Sequence, residues 1–133
     1  MTPASFDPAQ FDALARAFPA EVFRALLSSL ATSLPGSLHR MDLHNEVGDL
    51  AGIGREAHIL KGFSSNFGAI GLYEAVTALE AACDAGDAAK AAHLIGAVKG
   101  EAKLARAAIV ERMSTLEGGI EGLEEARALL MGR

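Results

Sequence analysis

The chain has 133 residues, half of them hydrophobic and 22% charged, which suits one domain with a continuous core and leaves too little for two of ordinary size. The composition excludes a disordered tail, and no apolar run approaches the roughly 18–20 residues that cross a bilayer, so no membrane partner is expected. A net charge of -5, with six Phe, one Tyr and no Trp, gives neither an attraction to phosphate backbones nor stacking platforms for bases, so nucleic acid is not expected as a partner.

From the amino terminus, Met1 to Phe11 holds Asp7, Pro8 and Gln10 without a basic region followed by an apolar stretch. It does not read as a signal peptide, and a cytoplasmic location is expected. Asp7-Pro8 has the form of an N-cap and first helical residue, and Phe11, Leu14, Ala15 and Phe18 recur on one helix face. Pro19 restarts the chain. Val22, Phe23, Leu26, Leu27, Leu30 and Leu34 then keep helical spacing, and Pro35-Gly36 predicts a kink or break before Leu38 and Met41. Gly48 and Asp49 close this segment and cap a third, in which Leu50, Ile53, Ala57, Leu60, Ser64 and Phe67 alternate steps of three and four.

Gly68 suits a left-handed helix end, and Leu72, Ala75, Val76, Leu79, Ala82 and Cys83 form the stripe of a fourth helix. Cys83 is the single cysteine, so no intramolecular disulfide and no zinc-ligand pair can form. After Gly86 and Asp87, a long helix carries Ala91, Leu94, Ile95, Val98, Ala102, Ala105, Ile109, Met113 and Leu116, with Gly118-Gly119 as its expected end. Residues 120–131 allow a short final helix. The expectation is all-α: an up-and-down antiparallel four-helix bundle with an additional N-terminal helix and a short C-terminal helix. One domain over 1–133 would comprise an N-terminal helix at 7–18, the bundle at 19–117 and a tail at 118–133. Phe11, Phe18, Phe23 and Phe67 are expected in the core.

The third segment carries chemistry. At about 100° per residue, Gly54, Lys61, Gly62 and Ser65 fall within about 60° of His58, whereas Ala57, Leu60, Ser64 and Phe67 lie about 100° or more away. His58 therefore faces away from the core, in a shallow and locally cationic surface. A helix-interior glycine costs roughly 0.5–1 kcal/mol against alanine, so Gly62 calls for a packing or functional reason. Neutral imidazole is nucleophilic near pH 7 without a neighbouring base, Lys61 can offset incoming phosphoryl charge, and Gly62 leaves room for a partner to approach. His39, His44 and His93 lack such surroundings and read as surface residues.

The run Ala57-His58-Ile59-Leu60-Lys61-Gly62-Phe63-Ser64, followed by Phe67-Gly68 and then Leu72, Leu79 and Glu80, resembles the signature of histidine-containing phosphotransfer (HPt) domains over about residues 49–80. The resemblance implies a helical bundle with His58 as phosphoacceptor, Lys61 as the phosphate-stabilising cation and Gly62 as the access residue. It also implies response-regulator receiver domains, and a hybrid histidine kinase, as partners. Magnesium would be held by the receiver, and this chain would need no cofactor of its own. Docking candidates are Gly54, Ile59, Gly62, Phe63, Ser65 and Asn66. The implied function is a phosphocarrier relaying phosphoryl groups between receiver aspartates.

Two other readings are open to the same residues. One is a helical adaptor that binds receivers without transfer, against which His58, Lys61 and Gly62 stand together. The other is a kinase dimerisation domain, whose histidine is typically followed by an acidic residue where this chain has Ile59. No glycine-rich ATP-binding segment is present, so the chain is expected not to be an ATP-dependent kinase.

Overall fold

A computed structural model describes residues 5–116 and 123–132. Among these residues the chain forms α1 (Pro8–Ala17), α2 (Ala20–Glu46), α3 (Leu50–Phe67), α4 (Ile70–Asp84), α5 (Ala88–Leu116) and α6 (Leu123–Leu130), with no strands. The helix boundaries follow from local chemistry. Asp7 Oδ1 accepts the Ala9 N–H at 3.0 Å with Pro8 at the first helical position, and Asp49 Oδ1 accepts the Gly52 N–H at 2.9 Å at the start of α3. Gly68 ends α3 at φ 75°, a left-handed conformation that favours glycine. Its missing side chain is needed as well, since a Cβ there would lie 2.6 Å from the Asp7 carbonyl oxygen.

Pro35 does not break the second helix. α2 continues through it, and Pro35 sits on the exposed side of the helix, so the backbone donor it lacks is not missed in the core. The Gly118-Gly119 helix end expected after α5 lies outside the described residues.

Connections of two or three residues join α2 to α3, α3 to α4 and α4 to α5, and each of these helices packs on the next, making an up-and-down four-helix bundle. α6 lies against both α2 and α5 and buries Leu123, Ala126 and Leu130. α1 is laid across the end of the bundle where α3 stops: the Asp7 N–H donates to the Gly68 carbonyl at 2.7 Å, and the Gly71 N–H donates to the Ser5 carbonyl at 3.0 Å. The buried Phe11 ring meets Phe23 edge-on at 5.5 Å and Phe67 at 6.4 Å. Arg112 of α5 donates from Nε to Asp12 Oδ1 at 2.9 Å and from Nη2 to Oδ2. That hydrogen-bonded guanidinium holds the Asp12 carboxyl below its ordinary range against the opposing effect of burial.

Phe18 is a correction. Expected in the core, it is 43% exposed, because α1 has already ended and its backbone is extended ahead of Pro19. The core is built instead around Phe11, Phe23, Leu27, Met41, Ile53, Leu60, Leu79 and Met113.

Behind α3, Glu56 is buried on the side opposite His58. Its Oε1 accepts from Ser37 Oγ at 2.8 Å and its Oε2 from Arg40 Nε at 3.0 Å. Burial pushes the Glu56 carboxyl up, but the Arg40 and Ser37 hydrogen bonds and the charges of Arg40 and His44 outweigh it, and the net displacement is downward. This cluster pins α3 to α2 and so fixes which face the helix turns outward.

Candidate functional site

The outward face of α3 is a stripe of Ala51, Arg55, His58, Ile59, Gly62, Ser65 and Asn66, all exposed. The His58 side chain is 76% exposed. Its ring is nevertheless fixed: Nδ1 lies 3.1 Å from Oε2 of Glu80, which reaches across from α4. A carboxylate only accepts, so this bond places the imidazole proton on Nδ1 and leaves a lone pair on Nε2. The other Glu80 oxygen, Oε1, accepts from Lys61 Nζ at 3.3 Å. The Lys61 ammonium also stands 5.7 Å from the centroid of the Tyr73 ring. One carboxylate thus organises both the imidazole and the cation one turn beyond it.

Gly62 is open. A Cβ built there meets nothing within 4 Å, so packing inside the chain does not require glycine at this position. The contrast is Gly52, ten positions earlier, where a Cβ would stand 2.3 Å from His44 Nδ1 and 2.6 Å from Asp49 Oδ2. Gly54 is intermediate, its hypothetical Cβ touching Cys83 Cβ at an ordinary 3.6 Å. A groove runs beside His58 between α3 and α4, with Gly54, Arg55 and Ile59 on one side and Glu80, Cys83 and Asp84 on the other. Burial, followed by the charges of Asp84 and Glu80, pushes the Cys83 thiol up, so it stays protonated at neutral pH.

Other expected positions fall differently. Phe63 does not join the exposed stripe; it is partly buried and packs against the core, being turned about 140° from His58 around the helix axis. Ser64 is buried and donates from Oγ to the Leu60 carbonyl at 2.6 Å. His39 and His93 are exposed, but His44 is not a plain surface residue: it packs over Gly52, with Nδ1 3.1 Å from Asp49 Oδ2.

A model of the Hpt domain family matches residues 8–126. The chain belongs to the Hpt domain family. Searches among curated proteins and among solved structures gave no match. Hpt domains carry phosphoryl groups on histidine in two-component phosphorelays, where they interact with receiver domains and kinases, and they act as phosphocarriers. Among its described residues this Hpt domain has no helix long and apolar enough to cross a membrane.

Three further residues of this Hpt domain belong to the site: Glu80, Ala51 and Arg55. Glu80 falls within the family signature, but nothing in a linear pattern states that a residue 22 positions away meets the histidine. Ala51 and Arg55 are recoverable from the same helical rotation that placed Gly62, at about 20° and 60° from His58.

Proposed function

We propose that this Hpt domain relays a phosphoryl group between receiver-domain aspartates, with Nε2 of His58 as the carrier atom. The observation that carries the reading is a ring 76% exposed to solvent whose Nδ1 is engaged by Glu80 at 3.1 Å, leaving Nε2 as the nucleophile. Its lone pair attacks the phosphorus of an aspartyl phosphate; the N–P bond forms, the P–O bond breaks, and aspartate departs as a carboxylate. No general base is needed, since the attacking nitrogen bears no proton. The return step is the same displacement with a second aspartate as nucleophile.

Lys61 neutralises charge on the phosphoryl oxygens during both steps. Gly62 admits the receiver's phosphorylated loop, and the stripe formed by Ala51, Arg55, Ile59, Ser65 and Asn66, with Gly54 at the groove, is the docking face. Magnesium belongs to the receiver. A hybrid histidine kinase is the expected origin of the phosphoryl group, and the location expected for such a relay is the cytoplasm. The test is labelling from a panel of phosphorylated receivers. Label should appear on this chain as an acid-labile, alkali-stable phosphoramidate at His58, close to one per molecule. Receiver binding without any label would replace the relay by an adaptor.

A further inference from the structure

We infer that Glu80 keeps a proton on Nδ1 of His58 in both the free and the phosphorylated state, so that the carrier exchanges no proton with solvent between its two transfers. The inference rests on His58 being the phosphorylated residue, as proposed above.

The geometry supplies the reason. The Nδ1 to Glu80 contact of 3.1 Å requires a proton on Nδ1, because an ionised carboxylate offers no donor. When Nε2 takes the phosphoryl group with its lone pair, the ring retains that Nδ1 proton and gains positive charge, directly opposite Glu80. An opposite charge at hydrogen-bond distance favours the charged form. Glu80 is poised for this: its side chain is only 24% exposed and is tethered through its second oxygen to Lys61.

Retaining the proton matters for the second transfer. When the N–P bond breaks, its electron pair returns to Nε2; with Nδ1 protonated the leaving group is neutral imidazole, and without that proton it would be imidazolate, a far poorer leaving group. Glu80 thereby keeps the phosphoryl group transferable as pH rises. The charged and titratable groups around the ring come from the two helices that line it. Arg55 and Lys61 of α3 work against a ring cation, Glu80 and Asp84 of α4 favour it, the Cys83 thiol is neutral, and the Tyr73 ring contacts Lys61. Of the two carboxylates, Glu80 is the one hydrogen-bonded to the imidazole. Lys61, drawn onto the arriving phosphoryl oxygens, would leave Glu80 to the ring alone.

Glu80 is in this sense a positioning residue, and its signature is a pH profile. The full chain is phosphorylated chemically with phosphoramidate, which bypasses any receiver, and the His58→Gln variant identifies the relevant signal. The ³¹P resonance is followed from about pH 6 to about pH 9, and transfer to a receiver is timed over the same range. Glu80→Gln preserves size and an acceptor oxygen but removes the charge. It should move the alkaline midpoint of the ³¹P titration down by about one pH unit, and slow transfer on the alkaline side by about tenfold relative to wild type. Superimposable wild-type and Glu80→Gln titrations would overturn the inference. A shifted ³¹P titration with no transfer to any receiver would uphold Glu80's role and refute the relay.

Discussion

Two glycines of α3 should respond to the same substitution in opposite ways. At Gly62 an added methyl meets nothing within 4 Å, so Gly62→Ala gains the helix propensity of alanine, about 0.5–1 kcal/mol, and should raise the melting temperature by roughly 2–5 °C for a chain of this size. At Gly52 the methyl would stand 2.3 Å from His44 Nδ1 and 2.6 Å from Asp49 Oδ2. Accommodating it displaces the imidazole and disturbs the N-cap of α3, an overpacking cost of about 1–3 kcal/mol that exceeds the propensity gain. Thermal denaturation followed by circular dichroism reads both. The functional half uses Gly62→Gln, whose side chain would project over the His58 face one turn away. Transfer from a phosphorylated receiver should fall at least about tenfold with the fold intact, in keeping with a near-attack geometry that tolerates little displacement. A destabilised Gly62→Ala, or undiminished transfer by Gly62→Gln, would refute the claim that this position is kept bare for access.

Other expectations follow from the same structure. Glu56 and Asp12 both have folded-state values displaced downward, so each contributes stability above its unfolded value that is lost as pH falls through the folded one. Wild-type denaturation midpoints should therefore decline as pH drops below about 4, and the decline should be shallower in Glu56→Gln and Asp12→Asn; parallel acid limbs would contradict this. Phe63→Ala, removing a ring packed against the core, should lower stability by about 2–4 kcal/mol in urea unfolding, whereas Ile59→Ala, at 46% exposure, should leave stability nearly unchanged while weakening receiver binding in a calorimetric titration. Equal destabilisation by the two would undo the assignment of Phe63 to the core and Ile59 to the docking face.

Much of this fold is written locally. Asp7-Pro8, Asp49 and Gly68 mark helix ends by their own chemistry, and the three-and-four spacing of Ile53, Ala57, Leu60, Ser64 and Phe67 fixes the buried side of α3, hence the outward turn of His58. What escaped depends on contacts between helices. Phe18 continues the α1 pattern but comes after the helix has ended. Pro35-Gly36 allows either a kink or a break, and sequence alone does not say that α2 runs on through it with the proline on the solvent side. Glu56 sits on the buried side of α3, where Ser37 and Arg40 of another helix make a carboxylate tolerable. His44 is held by Asp49 across a turn. Glu80 meets His58 only because α4 packs beside α3 in this register, and that pairing sets the tautomer on which the proposed chemistry rests.

A three-component relay reads phosphoryl passage through His58 itself. A purified labelled receiver, this Hpt domain and a second, unlabelled receiver are mixed, with the domain supplied as wild type or as His58→Gln of unchanged circular dichroism. Label should pass through the wild-type domain to the second receiver, and the substituted domain should carry none. Label reaching the second receiver equally well through His58→Gln would contradict passage through His58.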